Sequence, residues 1–199
     1  MTFSPSISAK LVIFTIFRGK LMVFLPDKKL PHKSIYSTSE LDEIVGMIMK
    51  ESLGNNPKTS YLEQLYTFSS KEGFTVAYFL LIQSLLLSTS QLQRFISISR
   101  VGEGQDSSII EYALQRLRWK IEYTNVVYSL LSDEFTLGEL QATYETILGK
   151  PLDKRNFRKK ILSLGIIKPS GRRRTGAQAR PAQLYCFKIR KPVMVKVFS

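Results

Sequence analysis

Fifteen Lys and Arg residues lie between Lys150 and Lys196, and Asp153 is the only acid among them. The densest runs are Lys154, Arg155, Arg158 and Lys159, then Arg172-Arg173-Arg174, with Arg180 beyond. On a helix turning about 100° per residue, Phe157, Ile161 and Leu164 share one face. Arg155 and Lys159 fall opposite, with Arg158 and Ser163 on the flanks. Leu162 also lands among the basic residues, in the last turn, where a following strand is expected to cover it. Arginine pairs bidentately with guanine edges in the DNA major groove, and both Arg and Lys neutralise phosphates. A basic helix face alone is equally well a solvated surface. A second basic run in a turn between strands, with glycines at 171 and 176 permitting close approach, tilts the reading toward double-stranded DNA.

The elements that must hold these residues are legible. Ser108-Ile109-Ile110-Glu111 fits a capping box at the start of a long helix, whose Ile110, Leu114, Leu117 and Ile121 form an apolar stripe. Tyr112, Trp119, Tyr123, Val126 and Leu130 widen it toward a second face. Thr136-Leu137-Gly138-Glu139 is a second capping box, opening a helix to about Leu148. Gly149-Lys150-Pro151 links it to a third helix, Asp153 to Leu164, closed by Gly165. Ile166 to Lys168 and Ala182 to Ile189 read as strands flanking a basic loop. Helix, helix, helix, strand, basic loop, strand is the order of a winged helix-turn-helix.

Three runs at this end resemble the winged helix of the Nudix-related transcriptional regulators. They are Phe135-Thr-Leu-Gly-Glu-Leu-Gln141, Leu148 through Gly165, and Arg180-Pro-Ala-Gln-Leu-Tyr185. Ala113 through Asn125 resembles the same family's linker helix. The resemblance implies a dimeric repressor whose N-terminal Nudix-fold domain senses a small molecule, ADP-ribose or a sugar-like compound. Lys20-Leu-Met-Val-Phe24 and Tyr61 through Phe68 are similar to strands of that domain. Between them a Nudix hydrolase carries G-x5-E-x7-R-E-U-x-E-E-x-G-U, whose glutamates hold divalent metal. Anchored on Gly54, the corresponding residues are Lys33, Ser39, Met47, Ile48, Met49, Glu51, Ser52, Gly54 and Asn55. Only Glu51 keeps an acid of the motif, with Glu40 one place out of register. One carboxylate does not replace three in holding metal for phosphate chemistry. Met47, Ile48, Glu51, Ser52 and Gly54 therefore mark a degenerate box, and neither catalysis nor a cofactor is expected.

The rest of the composition agrees. A hydrophobic content of 44% over 199 residues supports a buried core, and a formal net charge of +13 calls for a polyanionic partner. Residues 1–106 carry 11 basic and 9 acidic side chains, a net of +2; residues 107–199 carry 18 and 7, a net of +11. The polyanion site thus belongs to the second half. Cys186 is the only cysteine, expected as a small buried hydrophobe, and the lone His32 argues against a zinc site. No signal peptide pattern or membrane span is legible, so a cytoplasmic protein without a membrane partner is expected.

In the first half, Leu11–Phe17 and Leu21–Leu25 form a hairpin signal around Gly19. A loop follows from Asp27 to Ser39, then a helix from Glu40 to Leu53. Strands are expected at Tyr61–Phe68, Phe74–Ile82 and around Leu92–Ser99. The fold expected is α+β: a shortened Nudix-like mixed sheet with a helix over 1–106, then a linker helix and winged helix-turn-helix over 107–199. The function expected is a DNA-binding regulator, a homodimer on a palindromic operator. A nucleotide-sugar hydrolase and a general nucleic-acid-binding module are the alternatives.

Overall fold

The computed structural model describes residues 6–36, 40–54, 60–71, 73–104, 106–176 and 179–197. The chain divides into two compact units, Met1–Leu114 and Gln115–Ser199.

The first unit is built on β1 (Ser6–Phe17), whose Ala9, Leu11 and Ile13 face one side of the sheet and Val12 and Phe14 the other. All five are fully buried, which suits a strand with neighbours on both sides and cover on both faces. β2 (Lys20–Phe24) returns antiparallel through a two-residue turn in which Arg18 (φ 50°) and Gly19 (φ 71°) are both left-handed. That is the geometry matching the right-handed twist of a hairpin. The expected strand at Leu11 begins five residues earlier. β5 (Gly73–Leu81) runs parallel to β1 from Ser6 to Phe14, and this tertiary pairing recruits residues of low strand propensity. The segment expected as a loop from Asp27 holds a short strand, β3 (His32–Ser34), paired with Ser8–Lys10 of β1. Ser37 to Ser39 lie outside the described residues.

α1 (Leu41–Leu53) places Ile44, Val45, Ile48, Met49 and Leu53 at helical spacing, all buried against Ala9, Leu11 and Ile13 of β1 and Tyr78 and Leu80 of β5. Each such side chain contributes roughly 1.5–3 kcal/mol, so the face is committed to the core. β4 (Tyr61–Ser70) pairs with β5 at one side of the sheet, and with β6 (Phe95–Ser97) beside β2 the order is β4-β5-β1-β2-β6. After the short turn α2 (Thr89–Leu92), capped by Ser88, the strand expected over Leu92–Ser99 contracts to β6 (Phe95–Ser97). The capping box spends the backbone of 88–92 on a helical turn instead.

α3 (Ser107–Tyr123) contains the division between the units. Ile110, Ala113, Leu117 and Ile121 form its buried stripe, while Tyr112 and Trp119 are exposed. Its start differs from expectation: Ser108 already lies inside the helix, so no capping box is centred there. The Asp106 carboxylate just before the helix accepts from Lys10 Nζ (2.6 Å) and from the Leu30 amide (2.8 Å). The helix also ends sooner than the apolar pattern suggested. Thr124 turns its hydroxyl onto the Lys120 carbonyl, and a buried 3₁₀ segment, Val126–Leu130, follows.

In the second unit, β7 (Phe135–Thr136) leads into α4 (Leu137–Leu148) and α5 (Lys154–Ser163). β8 (Ile167–Gly176) and β9 (Ala179–Phe187) form a hairpin, with β7 on the far side of β9. The chain then straps back over the end of α3. Asn125 donates to the carbonyls of Ile189 and Lys191 and accepts from the Val193 amide, and Val197 is buried. Arg190 donates to the carbonyls of Tyr128, Leu131 and Ser132, so this cation of the basic tract serves the fold. Ile189, expected within the last strand, lies beyond it and is 53% exposed.

Candidate nucleic-acid interface

The candidate recognition element is α5, and its position is set by the helix before it. Thr136 and Glu139 close the predicted capping box at the start of α4, each satisfying the other's backbone amide. Gly149, in the left-handed conformation, ends α4. In the short link that follows, the Leu152 amide donates to Glu145 Oε1 (2.9 Å), and Gln141 Nε2 donates to both that carboxylate and the Leu152 carbonyl. Two polar side chains of α4 therefore clamp the entry to α5. Asp153 then caps α5 by accepting from the Asn156 amide at 2.7 Å. The sequence shows the α4 capping box, but Asp153 reads there as the first residue of the helix rather than its cap, and the clamp is not legible. Nothing within α4 ties Glu145 and Gln141 to Leu152 until the return of the link is known.

Phe157 and Ile161 are buried, and Phe157 meets the fully buried Tyr144 of α4 edge-on at 5.3 Å. Burial with loss of solvation pushes the Tyr144 phenol well above its usual pKa, so it stays neutral. On the other side, Lys154, Arg155 and Lys159 are exposed. Arg158 is half-buried, and its Nε is shielded from solvent without a hydrogen-bond partner. Leu162 is not covered by the next strand as expected; it is 48% exposed. Two exposed cations one turn apart, with an apolar side chain in the last turn, are suited to phosphates, base edges and a thymine methyl.

The wing differs from expectation in its secondary structure. Arg172, Arg173 and Arg174 stand within β8 rather than in the turn, with Arg173 opposite Gln183 and Arg174 opposite Ala182. A bulge between Pro169 and Arg173, with Gly171 at φ 84°, carries the pairing past the glycine and lengthens the hairpin. All three arginines are exposed. Two of them have acidic partners from before the tract: Arg174 meets Glu139 at 2.5 Å and Arg172 meets Glu134 at 3.5 Å. Burial raises the Glu139 pKa, but its bonds to Thr136 and Arg174 outweigh that and hold it below the usual range. The Arg180 backbone belongs to β9; its side chain lies outside the described residues. Cys186, expected to be buried, is half-exposed on β9 opposite Lys168.

The degenerate box has a clear fate in the first unit. Ile48 and Ser52, one helical turn apart where the motif has carboxylates, both face the core. Met47 is 51% exposed. Glu51 points outward and pairs with Lys33 at 2.8 Å, so an ammonium occupies the surroundings of the one remaining acid. Gly54 ends α1; Ser39 and Asn55 lie outside the described residues. Among the described residues no three His, Cys, Asp or Glu side chains converge to hold a metal.

Residues 127–187 match the family model of the NrtR DNA-binding winged helix domain. The second unit is similar to the NrtR winged helix over those residues. The resemblance extends over nearly the whole chain. The ADPR responsive transcriptional repressor NtrR of Acinetobacter baylyi is 28% identical over 209 aligned positions, covering 92% of this chain and 82% of that protein. The crystal structure of Shewanella oneidensis NrtR with a 27mer DNA superposes with a TM-score of 0.78 at 26% identity, over 92% of this chain and 93% of that one. A MutT/nudix family protein from Enterococcus faecalis, 19% identical with a TM-score of 0.69, shares the fold over 95% of this chain and 90% of its own. The likeness to the Nudix-related transcriptional regulators, α+β with a Nudix-like first unit and a winged helix behind it, thus holds at the level of sequence and of fold. Among the described residues no helix is long and apolar enough to cross a membrane.

Proposed function

We propose that this protein is a transcriptional repressor that binds an operator as a homodimer in the cytoplasm and releases it when an ADP-ribose-like effector occupies the first unit. The observation that carries the reading is the exposed Arg155–Lys159 face of α5, held on the Phe157–Ile161 anchor inside an NrtR-type winged helix. The relative from Acinetobacter baylyi is an ADPR responsive repressor, and NrtR of Shewanella oneidensis was crystallised on DNA. Lys154, Arg155, Arg158 and Lys159 are assigned to the major groove, and Arg172, Arg173, Arg174 and Arg180 to the neighbouring backbone or groove. Two-fold symmetry places two such helices about 34–36 Å apart on the duplex.

The first unit is assigned no catalysis. With Ile48 and Ser52 turned into the core and Glu51 held by Lys33, the donor set that would hold divalent metal is dispersed. Gel retardation of the protein's own upstream DNA, with random duplex as competitor, tests the reading. Specific retardation is expected. Retardation abolished equally by random competitor would reduce the protein to a general nucleic-acid binder.

A further inference from the structure

The last carbonyls of α4 have no further helical turn to bond to. The Gly149 amide still reaches back to the Glu145 carbonyl at 2.8 Å. The amide that would reach Ile147 belongs to position 151, four residues on, and Pro151 has none. Arg118 Nε takes that place, donating to the Ile147 carbonyl at 3.0 Å from 29 residues earlier in the chain. Its guanidinium lies over the left-handed Gly149, where an added Cβ would stand 3.6 Å from Nη2. A cation at this end also complements the negative pole of the α4 dipole.

Arg118 is well anchored on its own helix: in α3 it stands between Leu117 and Ile121, both fully buried. The link from Gly149 to Leu152 is thus held from two helices. Glu145 and Gln141 of α4 hold Leu152, and Arg118 of α3 holds Ile147. The cap Asp153 follows at once, and Lys154 and Arg155 are the first residues of α5. The N-terminal residues of a recognition helix contact base edges, and such contacts need side chains held to within about 0.5 Å. Phosphate contacts by long cationic side chains tolerate more, and they supply essentially all of non-specific binding. Loosening the link therefore damages base reading and leaves charge-driven binding nearly intact.

We infer that Arg118 is a positioning residue for sequence-specific DNA recognition: through the Ile147 carbonyl it fixes the entry to α5, without touching DNA itself. It acts by its N–H···O bond and not by its charge. The inference rests on the regulator reading. That reading falls if the wild-type chain shows no preference for operator over random duplex, and this inference falls with it. The hold of Arg118 on the link is read independently of any operator, from amide hydrogen exchange.

Two substitutions separate the bond from the charge. Arg118→Gln keeps an N–H donor as many bonds from the backbone as arginine Nε and removes the charge, whereas Arg118→Met matches the length with neither. Competition titration of the full chains gives the ratio of operator to random-duplex affinity. Exchange followed by NMR gives the protection of the Leu152 and Asn156 amides, which bond to Glu145 and Asp153. Arg118→Met is expected to lower the ratio about tenfold, since both half-sites of a dimer lose a hydrogen bond. Its affinity for random duplex and its salt slope are expected to stay unchanged, with faster exchange confined to the link and the first turn of α5. Arg118→Gln is expected to keep that protection and a ratio within about threefold of wild type. Four results each overturn the assignment. They are a ratio for Arg118→Met within about threefold of wild type, equal losses in both variants, a salt slope flattened by about 0.9, which would make Arg118 itself a phosphate contact, and unfolding or accelerated exchange throughout the second unit.

Discussion

At the residue scale, the recognition helix separates its cations into two kinds. Arg155 is exposed and free to meet a base edge, whereas Arg158 is half-buried against the protein with its Nε shielded. A good bidentate contact to a base contributes roughly 1–3 kcal/mol of discrimination. Arg155→Ala is therefore expected to weaken operator binding by about that amount and to relax preference at one base pair. Arg158→Ala is expected to cost less specificity and some thermal stability. Competition titration against single-base operator variants checks the difference; equal losses of specificity would show that both side chains read bases. This distinction was not legible in the sequence. A helical wheel places Arg158 at the flank but cannot say whether the flank is covered, and it places Leu162 among the cations without saying whether the following strand covers it; Leu162 is exposed.

At the element scale, the α4 capping box and the apolar anchors were legible because they are local: Thr136 with Glu139 and the Phe157–Ile161 spacing act within a few residues. What escaped depends on distant chain. The extension of β1 needs β5, sixty-odd residues on, and the clamp of Glu145 on Leu152 needs the link to fold back. Glu139 joins both ranges, since it caps α4 and pairs with a wing arginine. Its folded pKa lies below the usual value, so its contribution is present above the ordinary glutamate pKa, about 4.3. That contribution is lost as pH falls through the depressed folded value. Glu139→Gln is expected to lower the melting temperature at neutral pH, with the gap to wild type closing below about pH 4. A gap that stays constant down to pH 3 would rule out the carboxylate charge as its source.

The same scale explains the lost box. A carboxylate at position 48 would now enter a face packed on Ala9, Leu11 and Ile13, where an unpaired charge carries a desolvation cost of several kcal/mol. Ile48→Glu is therefore expected to destabilise the first unit, measured as a large drop in melting temperature, and not to restore metal-dependent hydrolysis of ADP-ribose. Hydrolysis by the wild-type chain with magnesium or manganese would contradict the whole reading of α1.

At the scale of the whole molecule, charge was the most legible property and also the most misleading in detail. The excess of +11 in residues 107–199 identified the half that faces a polyanion, but not every cation there is available. Arg190, in the strap, is consumed by the backbone carbonyls of Tyr128, Leu131 and Ser132, and Arg172 and Arg174 have glutamate partners that lie outside the basic tract in sequence. Arg173 alone of the triplet has no such partner among the described residues. Each phosphate neutralised contributes about 0.9 to the slope of log affinity against log salt. Arg173→Ala should flatten that slope by about 0.9 on operator and random duplex alike, as a phosphate contact does. Arg172 must exchange Glu134 for a phosphate, so its removal is expected to weaken binding less than removal of Arg173. Glu134→Gln, which releases Arg172 without touching a helix cap, is expected to tighten binding to both duplexes. Titrations from 50 to 200 mM salt check all three variants. If Arg172→Ala and Arg173→Ala prove equivalent and Glu134→Gln has no effect, the ion pairs of the free wing have no bearing on DNA binding, and the triplet acts as undifferentiated charge.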